Sequence, residues 1–110
     1  MNDLTWNDFT KVEMRVGTIL NAEIFKEAKK PALKLQIDFG EFGIKKTSAQ
    51  ITKLYTPEKI IGKQIIAVIN FPPKQIANIM SECLVLGAVN DDNVTLLSTE
   101  KKVPNGTKIG

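Results

Sequence analysis

Histidine is absent from these 110 residues. The commonest general base and the commonest metal ligand are therefore both missing, and no Ser-His or Cys-His pair can be assembled. The single cysteine, Cys83, permits no internal disulfide and, without histidine, no zinc site. It heads the apolar run Cys83-Leu-Val-Leu and reads as a small core residue rather than a nucleophile. No Gly-x-Gly-x-x-Gly or Gly-x-x-x-x-Gly-Lys-Ser/Thr cradle for phosphates occurs. The carboxylate pair Asp91-Asp92 falls in a turn, where water solvates it. The reading is of a protein that is not an enzyme and uses no cofactor or metal. No apolar run approaches the roughly 20 residues that span a bilayer. The N-terminus, Met1 to Asp8, is acidic and polar, unlike a signal peptide. We expect a cytoplasmic protein without membrane insertion.

What is present fits one ordinary globular domain over residues 1–110: 43% of the residues are hydrophobic and 25% charged. Thr5 can cap a short helical entry in which Trp6 and Phe9 share a face, a lid for the core or for a second subunit. Val12–Phe25 reads as a long strand, with Gly17 marking a bulge or bend. Ala32–Phe39 alternates cleanly, with Leu33, Leu35, Ile37 and Phe39 inward. The turn Gly40–Gly43 leads to a third strand, Ile44–Ala49. Ile51, Leu54, Tyr55 and the Thr56-Pro57-Glu58 start predict a short helix and turn ending at Gly62. Ile65–Ile69 and Cys83–Val89 are apolar strands, and Val94–Leu97 closes a terminal hairpin. Residues 103–110 form an extended tail with an Asn-Gly turn. Five strands, a hairpin arm and one helical insert between the third and fourth strands predict an all-β chain. It would form a five-stranded OB-fold barrel with N- and C-terminal extensions, a β-sandwich being the alternative.

Charge is unevenly spread. The net charge is only +3, but between Lys45 and Lys74 six lysines face one acid, Glu58. Such a field favours polyanions, above all nucleic acid, unless it is simply a solvated surface. The same stretch leads into a stiff corner, Asn70-Phe-Pro-Pro-Lys74, followed by Ser81-Glu82. Arg15, the sole arginine, can grip a phosphate, stack on a base, or pair with Glu13. Lys34, Lys45 and Lys46 sit on strands two and three, suited to phosphate contact or to solubility alone. Ser48 and Gln50 can bond a sugar or base edge, or Ser48 can cap the helix expected near Gln50. Asn70 can tie the corner's backbone or present its amide outward. Lys74 is held outward by the two prolines. Glu82 can accept from a base amino group or orient Lys74. Phe71 is a stacking platform, a peptide cleft or barrel-end core. Ile76, Ile79 and Met80 recur at helical spacing as core, although Met80 also suits an adaptable peptide cleft.

Several segments carry a resemblance in order: Met14-Arg-Val-Gly-Thr-Ile, Glu27-Ala-Lys-Lys-Pro-Ala, Lys34-Leu-Gln-Ile-Asp-Phe-Gly40, Lys45-Lys-Thr-Ser-Ala-Gln-Ile-Thr52, Asn70-Phe-Pro-Pro-Lys-Gln-Ile-Ala, Ser81-Glu-Cys-Leu-Val-Leu-Gly and Val103-Pro-Asn-Gly-Thr-Lys-Ile-Gly110. From about Phe9 to Gly110 the chain resembles the tRNA-binding-domain family, and within it the CsaA-type export-related chaperones. Where synthetase-appended relatives carry His-Pro and Ser-x-Gly-Met, this chain has Lys30-Pro31 and Ser81-Glu82-Cys83-Leu84. The resemblance implies an OB-fold homodimer joined through its N-terminal segment and C-terminal strands. It implies tRNA binding on a basic barrel face, with Arg15, Lys34, Lys45, Lys46, Ser48, Asn70, Lys74, Ser81 and Glu82 as candidates. It also implies capture of unfolded or precursor polypeptides, with Phe71 and Met80 as candidates, linked to the export motor SecA. The alternative is a peptide-binding secretion chaperone with weak or incidental RNA binding.

Overall fold

The computed structural model describes all residues from Met1 to Gly110. Its organising strand is β1 (Met14–Ile24), which pairs antiparallel with β2 (Leu33–Asp38) along its second half and with β4 (Gln64–Val68) along its first. β3 (Ile44–Ala49) continues the sheet beyond β2, and β7 (Leu84–Val85) continues it beyond β4. The order β3-β2-β1-β4-β7 curls until its ends meet. There the Glu82 N–H donates to Lys46 O at 2.8 Å, and the Lys46 N–H donates to Glu82 Oε1 at 2.9 Å. The Thr47 hydroxyl donates to Cys83 O at 2.8 Å. This is a nearly closed, five-stranded antiparallel barrel, the OB-fold architecture expected.

The clean alternation of β2 does the filling. Leu33, Leu35, Ile37 and Phe39 are sealed, alongside Ile19, Ile60 and Ile65. Each such side chain contributes about 1.5–3 kcal/mol by leaving water. Gly17 is needed for close approach, since a Cβ there would stand 2.6 Å from Ile37 Cγ2 and 2.7 Å from the Phe39 ring. The bulge expected at Gly17 lies three residues on. The β1–β2 register shifts between Ile19 and Asn21, leaving Leu20 as the extra residue.

Other expectations are corrected. Residues 51–55 form no helix; a single Tyr55 N–H to Ile51 O bond of 3.2 Å closes one turn, and the helix is only α2, Pro57–Ile60. Ser48 lies inside β3 and caps nothing. Ile76, Ile79 and Met80 are not a helical face but part of a hairpin of β5 (Lys74–Ile76) and β6 (Ile79–Ser81). The Cys83–Val89 run divides into β7 and β8 (Gly87–Asn90), which pairs with β9 (Asn93–Leu96). The tail adds β10 (Lys108–Ile109) to β1. The N-terminal helix α1 (Trp6–Thr10) forms with Thr5 Oγ1 accepting from the Asp8 N–H at 3.1 Å. Trp6 stacks on Phe9 with ring centroids 5.5 Å apart but leaves 76% of its surface in solvent, so it is no lid on this core.

Candidate nucleic-acid interface

Strand pairing sets the outer face of the barrel. Asn21, Gln36 and Lys46 lie directly across from one another on β1, β2 and β3; Glu23, Lys34 and Ser48 form the next row. The bulge makes this possible. By strict alternation from buried Ile19, Asn21 would point inward; the extra residue re-aims it beside Gln36. Lys34 Nζ pairs with Glu23 Oε1 at 3.0 Å and lies 5.4 Å from the centroid of the Phe25 ring. Lys46 keeps its ammonium free of any ion pair. Lys45 stands opposite buried Ile37, on the same side of the pleat as Thr47, so it does not share the face of Lys46.

At the end of β3 the face runs into a groove. A 440 Å³ cavity lies between the β1–β2 loop and the hairpin, with Lys29, Lys30, Ser48, Gln50 and Ile76 among its walls. A 290 Å³ cavity opens on the corner side, where Phe71, Lys74, Ser81 and Leu84 join Ser48 and Ile76. A more apolar one of 250 Å³, with Ile51, Val85 and Leu86 in its wall, shares the same two residues. Ser48 and Ile76 are thus the meeting point of three hollows. Lys74 and Ser81 are a cross-strand pair. The hairpin turns at Ala77, held in the left-handed region at φ 48° while Gln75 Nε2 donates to its carbonyl at 2.7 Å. Phe71 is 54% exposed and Met80 45%, so neither is barrel core. Phe71 lines the corner cavity, whereas Met80 projects elsewhere.

Besides Lys34, four candidates are already engaged within the fold. Arg15 donates to Glu13 Oε1 at 2.7 Å and to Gly106 O at 3.2 Å, and covers the Phe42 ring at 4.5 Å. That hydrogen bond, with the charge behind it, holds the Glu13 carboxyl below its ordinary range. Asn70 accepts from the Glu13 N–H at 3.0 Å and donates to Lys11 O at 2.7 Å, pinning the entry segment to the end of β4. Glu82 accepts from the Lys46 backbone and makes no ion pair with Lys74. Ser81 Oγ lies 2.9 Å from Thr47 Oγ1, and the two hydroxyls share the Cys83 carbonyl as acceptor, at 2.8 Å from Thr47 and 3.3 Å from Ser81. Cys83 sits under this cluster, and burial pushes its thiol up to about 12. Gln50, read from sequence beside Ser48 as a sugar or base-edge contact, does line the groove, and Lys29, Lys30 and Ile76 complete it without having been chosen from sequence. Their signal was spatial, because the β1–β2 loop and the hairpin meet only in the fold.

Comparison with known proteins gives the family to which such a face belongs. The family model for the tRNA binding domain matches residues 14–108. The chain belongs to the tRNA-binding domain family. The crystal structure of the chaperone CsaA from Bacillus anthracis is 53% identical, superimposes with a TM-score of 0.95, and covers 99% of this chain and all of its own. The CsaA chaperone from Picrophilus torridus is also 53% identical, with a TM-score of 0.92 over 98% of this chain and its own full length. A methionine–tRNA ligase from Methanococcoides burtonii is 40% identical over 107 residues, which is 96% of this chain but 16% of the ligase. That match concerns a tRNA-binding domain within a larger enzyme and brings no ligation chemistry with it. No helix is long and apolar enough to cross a membrane.

Proposed function

We propose that this chain is a cytoplasmic, single-domain homodimer that binds tRNA and acts as a chaperone for unfolded or precursor polypeptides, without catalysing a reaction. The observation that carries the nucleic-acid half is the convergence of three cavities on Ser48 and Ile76, beneath Lys29, Lys30 and Lys74 and beside Lys34 and Lys46. Lysines there neutralise phosphates and release counterions, which gives affinity without reading sequence. Of the remaining candidates, Ser48 and Ser81 supply hydroxyls at the groove wall. Arg15, Asn70 and Glu82 position backbone, and Lys45 stands behind the face.

Titration of tRNA across about 50–200 mM salt tests this reading, with log K expected to fall linearly with log salt. Lys74→Ala should lower that slope by about one. Salt-independent binding, or an unchanged slope in the variant, would remove the groove from consideration.

A peptide-binding chaperone with incidental RNA binding is the second reading, favoured by exposed Phe71 and Leu84 on the corner cavity. Phe71→Ala should then weaken suppression of aggregation while leaving tRNA affinity in place. The homodimer draws support from Trp6, Val89 and Leu97, exposed apolar groups on the N-terminal helix and beside the C-terminal hairpin. Light-scattering mass tests it. Contact with SecA and a part in export rest on the likeness to CsaA chaperones, and co-purification with SecA is their test.

A further inference from the structure

The outer face of the barrel holds a fourth cavity, about 200 Å³, between β1, β2 and the hairpin. Asn21, Glu23, Lys34, Gln36, Lys46 and Ile79 enclose it, and Leu35 lies beneath. It is separate from the groove at Ser48. Its charges are already arranged, since Glu23 neutralises Lys34 and leaves Lys46 as the free cation. Its neutral groups are not committed. Asn21 and Gln36 are direct partners across the β1–β2 pair, both line the cavity, and neither side chain makes a hydrogen bond within the protein. One of them is present only because the Leu20 bulge turned it outward.

We infer that this cavity receives a single unpaired adenine of the bound RNA. Asn21 and Gln36 would grip its amino group from both sides, and Lys46 would hold a neighbouring phosphate. This rests on the nucleic-acid reading above and names what one subsite of it recognises. The stereochemistry selects the base. Each carboxamide presents one donor edge and one acceptor edge. Adenine carries an amino group with two hydrogens, flanked by acceptors at N1 and N7. It can therefore donate to both carbonyls and accept from both amides. Uracil has one hydrogen at N3 and satisfies one carboxamide only. Guanine has an acceptor where the amino group must be, and cytosine has an acceptor on only one side of its amino group. Ile79 gives the base an apolar wall. A duplex cannot supply such a base, so the ligand is a looped or terminal nucleotide.

The test uses the full-length protein and a labelled uridylate oligomer of about ten nucleotides, within the OB-fold range. A second oligomer is identical except for one central adenosine. The adenosine should tighten binding about tenfold, within the range of a bidentate base contact. Asn21→Ala and Gln36→Leu should each abolish that gain while leaving the salt slope of uridylate binding and the urea midpoint as in the wild type. Equal binding of the two oligomers by a protein that binds tRNA would overturn this inference alone. So would a gain that survives both substitutions. A wild-type protein that binds neither tRNA nor oligomer would overturn the nucleic-acid reading and this inference together.

Discussion

Along β2 and at the residue after it, Leu33, Leu35, Ile37 and Phe39 leave at most 1% of their surface to water, whereas between Phe71 and Glu82 not one residue is buried. The first region is held by packing. The second is held by stitches: Glu82 to Lys46, Ser81 to Thr47, Thr47 to Cys83, and Asn70 to the entry segment. A corner fixed in this way keeps its shape while leaving Phe71, Lys74 and the Ser48 groove open to a ligand. The difference assigns stability to one region and leaves the other for the binding proposed above, and substitutions can test that division.

The largest effect should come from the packed region. Phe39→Ala should cost about 3–5 kcal/mol in urea unfolding, because its sealed ring leaves a cavity the barrel cannot collapse. Gly17→Ala, on the same side, should cost about 1–3 kcal/mol as its methyl meets Ile37 and Phe39. Phe71→Ala should stay within about 0.5 kcal/mol of wild type. A comparable loss from Phe71 would mean that the corner carries part of the core.

Next comes the seam between the regions. Thr47 is the one buried polar side chain, and its hydroxyl serves both Cys83 O and Ser81. Thr47→Val keeps the shape but removes the shorter donation to Cys83 O and leaves Ser81 only its 3.3 Å contact with that carbonyl. We expect a loss of about 1–3 kcal/mol, with a fall in tRNA affinity as the corner loosens. Thermal melts beside a binding titration separate the two effects.

The contrast also explains what could be read from the sequence. Packed strands announce themselves by alternation, so β2 and the inward set Leu33 to Phe39 were legible, as was β3 to the residue. The stitched region has no such period. Ile76 and Ile79 looked helical because their spacing suits a helix, yet the turn Ala77-Asn78 lacks the glycine that would have signalled a hairpin. Ile51 and Tyr55 misled in the same way: one i to i+4 bond forms, then Pro57 restarts the chain. Glu82 reads in sequence as an acceptor for a base or a guide for Lys74, whereas its role as a barrel-closing acceptor depends on Lys46, 36 residues away. Lys45 and Lys46 read as one cluster in sequence, and the pleat puts them on opposite faces.

That last point yields a sharper binding test. Lys46→Ala should reduce the salt slope of tRNA binding by about one, and Lys45→Ala should leave it unchanged. Neither should move the urea midpoint by more than about 0.5 kcal/mol. Equal effects from the two lysines would mean that RNA reaches behind the sheet, and the division between packed interior and open face would fail there.

The smallest effect near neutral pH belongs to Cys83, where the two regions meet. Burial raises its thiol from an ordinary 9.0 to about 12. A group whose folded value lies above its unfolded value keeps the native state protonated after the unfolded chain has lost its proton. Its contribution is therefore complete below about pH 9 and is lost between about 9 and 12, as the pH approaches the folded value. Stability should fall along that alkaline limb in the wild type. In Cys83→Ala the fall should be shallower over the same interval, because no thiol remains to titrate. A native thiol that reacts with a disulfide reagent at pH 8 as fast as in urea would show instead that the seam opens readily, and the corner would then be a moving part rather than a fixed rim.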